Sequence, residues 1–175
     1  MKVFKFGGAS VRHAAAIQKV ASIIKRYQGE KILIVVSAMG KTTNALERVV
    51  AIFQSGGDYR ADLQLIRSYH EEVMRELFEE DHRAWQLVNR ELESVVSKLK
   101  PGMSADQLYD QVVSIGEMLS SIIVSELLFA EGLPVEWGDA RKYITTDATY
   151  REGKVDWDVT EKKTQHLRTL LDEKI

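Results

Sequence analysis

The chain has 175 residues, of which 45% are hydrophobic and 29% charged, a composition typical of a soluble globular domain with a sizeable core. A formal net charge of −2 gives no broad electrostatic attraction to nucleic acid. The absence of cysteine excludes a disulfide framework and thiolate metal sites, and it suits a cytoplasmic protein. We expect no signal peptide, because the start MKVFKFGG reaches glycine too soon to supply an apolar region. We also expect no membrane partner, because no apolar run approaches the roughly 20 residues that span a bilayer.

The first third of the chain predicts a strand, a helix and a second strand. Residues 2–6, KVFKF, are apolar and β-prone, and GGAS follows as a turn. Ser10 is the predicted N-cap of a helix over 11–28, which Gly29 ends. KILIVVSA is a run of branched residues with little alternation, typical of a parallel strand covered on both faces. The spacing predicts a βαβ unit.

The rest of the chain is mostly helical by pattern. MGKTTNALERVVAIFQSGG repeats the plan of a turn followed by an amphipathic helix. Residues 58–100 carry two long charged helical stretches with a break near Asp81, which predicts a helical hairpin inserted in the α/β core. Residues 103–132 predict one long central helix, because its middle is apolar on nearly every face. LPVEW is a predicted strand, YITTDATYREGKVDW a predicted strand and hairpin, and residues 158–175 a final helix.

Lys5, Gly7 and Gly8 lie where the first strand meets the first helix. Glycines let the backbone approach a ligand and present N–H groups, and the start of a helix favours anions. A lysine at the same place adds a mobile charge suited to a transferring phosphoryl group. A lysine near a strand end can also be merely exposed, but the combination predicts a phosphate site without naming the substrate.

A second strand-to-helix turn, VVSAMGKTTNA, crowds hydroxyls and backbone donors together. It is not a Walker A loop, because position 35 holds valine where that motif needs glycine. Helix capping by Thr42 or Thr43 is the alternative to a ligand-binding role. If the sheet is parallel, this turn and KFGG open at the same carboxyl edge, where α/β sheets bind ligands.

Glu117 stands inside the apolar stretch SIGEMLSSII. Burying an unpaired charge is costly, so we expect this carboxylate to pair with Lys5 or with a substrate ammonium, unless it lies on an exposed edge of the helix. Gly116 beside it costs about 1 kcal/mol of helix propensity against alanine, which indicates that another backbone or a ligand comes close there.

The remaining polar candidates predict no site of their own. The loop pair Asp139 and Arg141 is expected to be structural. The histidines lie far apart and none has a partner at metal-ligand spacing, so they are expected at the surface and no metal ligands are assigned. They are His13, His70, His82 and His166.

Four stretches in order, VFKFGGASV, ILIVVSAMGKTTNAL, SIGEMLSS and DARKYITTD, resemble the aspartokinases of the amino acid kinase superfamily. Ala9 departs from the threonine or serine that is usual there. The resemblance implies an α/β fold, a three-layer αβα sandwich with a mostly parallel central sheet and the inserted helical hairpin. It also implies phosphorylation of the β-carboxylate of L-aspartate by Mg-ATP, the first step of lysine, threonine and methionine biosynthesis.

The resemblance assigns roles to individual residues. The charge of the transferring phosphoryl group would be stabilised by Lys5, the implied catalytic residue. The residues implied to bind ATP are Lys5, Phe6, Gly7 and Gly8. Those implied to bind aspartate are Ser37, Thr43 and Glu117, with the last holding the amino group. Mg²⁺ would be held mainly by the phosphates of ATP.

Other parts of the family pattern do not occur in this sequence: a GRGGSD-type stretch, the nucleotide-base pocket and the ACT regulatory domains. We therefore expect residues 1–175 to form the amino-terminal part of the kinase catalytic domain, with 58–100 as its helical insertion, and to show no substantial activity alone. The alternatives are a glutamate, acetylglutamate or uridylate kinase, or a non-catalytic module that binds a ligand or a partner chain. A homo-oligomer of a full-length protein is left open.

Overall fold

A pair of parallel strands begins the fold in the computed structural model, which describes residues 1–173 and the side chains of residues 1–165. Strand β1 (Lys2–Phe6) pairs with β2 (Ile32–Val36) in a register that runs from Lys2 opposite Ile32 to Phe6 opposite Val36. Helix α1 (Ala14–Lys25) joins them. The predicted βαβ unit is therefore confirmed.

Helices make up most of the remaining described chain. They are α2 (Thr42–Gln54), α3 (Arg60–Leu77), α4 (Ala84–Lys98), α5 (Ala105–Val113), α6 (Ile115–Ala130) and α7 (Trp157–Glu173), with short 3-10 helices at Gly8–Val11 and Ala140–Lys142. Helices α3 and α4 occupy the segment that predicted a helical hairpin, and they pack against each other. The predicted α/β class, with a parallel sheet and this helical pair, is confirmed.

Successive side chains of each strand point alternately to a covered face of the sheet and to an exposed face. Phe4 and Phe6 of β1 pack against the helical core, as do the residues of β2 on the same face. Val3 and Val35 lie on the opposite face and are 59% and 44% exposed. Within the part of the chain that the structure describes, the helical core thus covers one face of the sheet.

Helix α6 is the central element, as its composition predicted. It contacts β2 and every helix from α1 to α5. By length and composition alone, residues 105–130 could cross a membrane, but 72% of their most apolar 18-residue stretch is buried inside the fold. Its apolar surface is therefore used for packing.

The boundaries around α1 and α6 differ from prediction. Ser10 lies inside a 3-10 turn, in which its N–H donates to the Gly7 carbonyl at 2.8 Å, so it does not cap α1. The cap is His13, whose Nδ1 accepts the Ala16 N–H at 3.1 Å. The single helix predicted over 103–132 is divided at Ser114, which ends α5 and begins α6 while keeping helical dihedrals.

The segment after α6 forms less strand than predicted. LPVEW is not a strand, and the sheet of the described residues consists of β1 and β2. The predicted hairpin is reduced to one antiparallel bridge between Thr146 and Val155. Backbone bonds on either side of this bridge join Asp147 to Lys154 and Asp156 to Thr145.

His70 corrects the expectation that the histidines lie at the surface. It is fully buried on the core face of α3, where Ile66 and Val73 are its neighbours at helical spacing. Its Nδ1 bonds the Ile66 carbonyl at 2.8 Å, and burial lowers the pKa of the imidazole. His13 is exposed and His82 partly exposed, and the side chain of His166 lies outside the described residues.

Candidate active site at the carboxyl edge of the sheet

The turns that follow β1 and β2 lie directly against each other. The Ser37 N–H donates to the Phe6 carbonyl at 3.0 Å, and the Gly40 N–H donates to the Gly8 carbonyl at 3.1 Å. A Cβ on Gly8 would lie 2.5 Å from the Ala38 carbonyl oxygen, so no side chain fits there. As the parallel sheet predicts, both turns open at one carboxyl edge.

The side chain of Lys5 in β1 reaches the first of these turns. This side chain is exposed, and its Nζ lies 3.7 Å from the place that a Cβ on Gly7 would take. Among the residues that the structure describes, Lys5 forms no ion pair, so its ammonium is available to an anion. The cation and the Gly7–Gly8 backbone therefore lie together, which is the arrangement expected of a phosphate site.

Helix α6 reaches the second turn through polar side chains. The Glu117 Oε1 accepts the Ala38 N–H at 3.3 Å, and the Ser120 hydroxyl donates to the Ser37 carbonyl at 2.9 Å. This approach depends on Gly116, because a Cβ there would lie only 2.9 Å from the Ala38 Cβ. The atoms nearest to Gly116 are thus side-chain carbons of Ala38, Thr42 and Leu46, whereas the sequence predicted another backbone or a ligand.

Glu117 is half-buried and has the Ala38 N–H as its partner. It does not pair with Lys5 within the described structure, so that alternative is wrong. Its Oε1 accepts the Ala38 N–H, and its Oε2 accepts no hydrogen bond from the residues that the structure describes. Binding of a substrate ammonium by Glu117 stays a prediction.

The threonines at the start of α2 do not cap it. Lys41 holds the N-cap position without a side-chain bond. Thr42 is buried, its Oγ1 has no hydrogen-bond partner among the described residues, and its methyl group faces Gly116. Thr43 is half-buried in the first turn of the helix, beside the Ser37–Gly40 turn. The capping alternative is therefore wrong, and the role of Thr43 in substrate binding stays a prediction.

The pair Asp139 and Arg141 lies in the loop after α6 and is structural. The guanidinium bonds both carboxylate oxygens, with Nε at 2.9 Å and Nη2 at 2.8 Å. These hydrogen bonds lower the pKa of Asp139, whose carboxylate also caps the 3-10 helix Ala140–Lys142 by accepting the Arg141 N–H. The carboxylate is thereby occupied within its own loop.

Two residues that contact these turns were not predicted from the sequence. Ser120 follows Glu117 by almost one helical turn, and a serine in so apolar a helix was the signal that could have found it. Tyr69 of α3 donates its hydroxyl to the Arg12 carbonyl at 2.5 Å. No motif marks Tyr69, because it lies in the charged hairpin and reaches the site only through tertiary packing.

Comparisons with known proteins identify the family of the chain. The sequence profile of the amino acid kinase family matches residues 1–175. Aspartokinase 1, chloroplastic, of Arabidopsis thaliana is 34% identical over 155 residues, which cover 83% of this chain and 26% of that protein. The bifunctional aspartokinase/homoserine dehydrogenase 2 of Escherichia coli K12 is 30% identical over 149 residues, which cover 83% of this chain and 18% of that protein.

Solved structures show the same fold. Escherichia coli aspartokinase III in complex with lysine and aspartate superposes on 99% of this chain with a TM-score of 0.87 and 25% identity. The same enzyme in complex with aspartate and ADP superposes on all of it with a TM-score of 0.86. In each case this chain spans 39% of the solved chain. Since the family profile matches the whole sequence and the fold follows these structures, the chain belongs to the amino acid kinase family.

Proposed function

We propose that this chain carries the phosphate-binding and aspartate-binding turns of an aspartate kinase. The observation that carries the proposal is the direct contact of the two turns, in which Gly8 packs on Ala38 while Glu117 holds the Ala38 N–H. Such contact would place a nucleotide phosphate and a small carboxylate substrate next to each other. The aspartokinase III structures with aspartate and with ADP support the choice of ligands.

In the proposed reaction an oxygen of the aspartate β-carboxylate attacks the γ-phosphorus of ATP. The bond from that phosphorus to the bridging oxygen breaks, and ADP leaves with the electron pair. The Lys5 ammonium, lying over Gly7, would neutralise charge on the transferring group. The backbone of Phe6, Gly7 and Gly8 would line the phosphates, so positioning and charge carry the catalysis.

The second turn would bind the amino acid. The free oxygen of Glu117 would accept bonds from the substrate ammonium, and its other oxygen keeps the carboxylate oriented through the Ala38 N–H. Ser37 and Thr43, both half-buried beside this turn, would supply hydroxyls to the substrate. Ser120 would hold the Ser37 carbonyl and so fix the turn.

Mg²⁺ would arrive with ATP. The phosphate oxygens of ATP would be its main ligands, since Mg²⁺ prefers oxygen ligands and commonly binds through substrate phosphates. When bound, the ion would neutralise phosphate charge. The proposal also includes a cytoplasmic location, which suits a cysteine-free chain.

Calorimetric titration with L-aspartate and with Mg-ATP tests the proposal. Lys5→Ala should weaken Mg-ATP binding about tenfold or more, because it removes a charge-assisted contact. Lys2→Ala is the matched control, since Lys2 lies on the same strand but pairs with Glu30. Its affinity for Mg-ATP should equal that of the wild type.

The aspartate side of the site is tested in the same way. Glu117→Gln should weaken L-aspartate binding about tenfold or more, while Glu131→Gln, at the end of the same helix, should leave it unchanged. Binding of neither ligand by the wild-type chain would contradict the proposal. Equal effects of each substitution and its control would contradict the assigned residues.

A further inference from the structure

We propose that Tyr69 is a positioning residue that ties helix α3 to both turns of the candidate site and holds the phosphate-binding turn in its binding conformation. The inference rests on the proposed function, since it deepens the account of that site. It assigns the helical hairpin a part in ligand binding that no sequence motif indicates.

The first contact is with the phosphate-binding turn. The Tyr69 hydroxyl donates to the carbonyl oxygen of Arg12 at 2.5 Å. Arg12 ends the 3-10 helix Gly8–Val11, which directly follows Gly7. The phenol thus fastens one end of this short helix, while the Gly8 carbonyl at the other end is bonded by the Gly40 N–H.

The second contact is with the turn after β2. Gly40 has a φ of +52°, and a Cβ built on it would lie 2.7 Å from the Tyr69 hydroxyl oxygen and 3.5 Å from Cζ. The phenol therefore occupies the space that a side chain at position 40 would need. The Gly40 N–H also donates to the Gly8 carbonyl. Tyr69 therefore contacts both turns, and the two turns are hydrogen-bonded to each other.

The surroundings of Tyr69 keep its hydroxyl in place as a donor. The ring is half-buried, and it packs in an edge-to-face arrangement with the fully buried ring of His70, with 5.2 Å between the centroids. Burial raises the pKa of Tyr69, with the Arg12 charge acting in the opposite direction, so the phenol stays protonated at neutral pH. A phenylalanine could fill the same space, but it could not hold the Arg12 carbonyl.

Tyr69→Phe isolates the hydroxyl, because it keeps the ring and removes the donor. Tyr109→Phe is the matched control, since that hydroxyl donates to the Glu47 carboxylate instead of to a turn. Amide hydrogen exchange measured by NMR reports on the turns through the N–H groups of Ser10 and Gly40, which bond Gly7 and Gly8. Ile123, fully buried in α6, reports on global opening.

In Tyr69→Phe we expect the turn amides to exchange about three- to tenfold faster, the effect of one hydrogen bond, with Ile123 unchanged. Affinity for ADP should fall by a similar factor, and Tyr109→Phe should change neither quantity. Unchanged turn exchange in Tyr69→Phe, or equal acceleration at Ile123, would overturn the proposal. If the wild type binds no nucleotide, the proposed function fails, and amide exchange alone decides whether Tyr69 positions the turns.

Discussion

Gly7 and Gly8 are adjacent but contribute to the site in different ways. A Cβ on Gly7 would meet only the flexible end of Lys5, at 3.7 Å. A Cβ on Gly8 would meet backbone, at 2.5 Å from the Ala38 carbonyl oxygen and 3.2 Å from that of Gly40. The first glycine leaves the approach to Lys5 open, while the second allows the two turns to touch.

This difference predicts opposite outcomes for alanine at the two positions. Gly8→Ala must push the turns apart, so its free energy of unfolding should fall by about 1–3 kcal/mol, as for an overpacked core. Gly7→Ala has an allowed extended backbone, with φ −75° and ψ 168°, and should change stability by less than about 0.5 kcal/mol. Urea unfolding of both variants measures the contrast, and equal losses would contradict it.

At the scale of elements, helix α6 serves both the core and the site. Leu119 and Ile123 are fully buried among the other helices. Glu117 and Ser120, on another side of the same helix, hold the Ser37–Ala38 backbone. The turn that would bind substrate is therefore fastened to the most buried helix of the fold.

Gly116 sets the distance between α6 and this turn. Gly116→Ala gains about 1 kcal/mol of helix propensity, but its Cβ would lie 2.9 Å from the Ala38 Cβ and 3.4 Å from a methyl of Leu46. We expect a net loss of about 1 kcal/mol in unfolding free energy and weaker binding of L-aspartate, because Glu117 moves away from the Ala38 N–H. Urea unfolding and calorimetry measure the two effects.

Ser125→Ala on the same helix is the control for Gly116→Ala. It also raises helix propensity, but Ser125 is only partly buried and lies about two and a half turns further along the helix. Its aspartate affinity should equal that of the wild type. A Gly116→Ala variant that is more stable than the wild type and binds aspartate normally would contradict the prediction, because it would mean that a methyl group fits at position 116.

At the scale of the whole molecule, the burial of His70 makes stability depend on pH. Its pKa is lowered in the folded chain by burial, while an unfolded histidine keeps a pKa of about 6.5. Below about pH 6.5 the unfolded state therefore binds a proton that the folded state does not. The free energy of unfolding should fall as the pH drops below that value, by at most about 1.4 kcal/mol per pH unit from this group.

Urea unfolding at pH 7.5 and 5.5 measures this dependence. His70→Phe should remove the histidine contribution, because no imidazole remains to take up a proton in the unfolded state. His13→Asn is the control, since His13 is exposed and asparagine can keep its role as the cap of α1. The same pH dependence in wild type and His70→Phe would contradict the prediction.

Much of the local structure and part of the site could be predicted from the sequence. The run of branched residues in β2 and the strand-turn pattern of KFGG indicate the βαβ start, and short-range spacing is sufficient for that. The predicted strand LPVEW failed because a strand also needs a neighbour to pair with, and β1 and β2 are the sheet of the described chain. Composition by itself does not reveal whether that neighbour is present.

By itself, the sequence determined the chemistry available at the edge of the sheet: a lysine and two glycines after β1, hydroxyls after β2 and a carboxylate in the apolar helix. The tertiary structure decided which of these groups meet. Tyr69 bonds a residue 57 positions away, and Glu117 bonds one 79 positions away. No local period encodes such contacts, because they arise only when the helices pack against the turns.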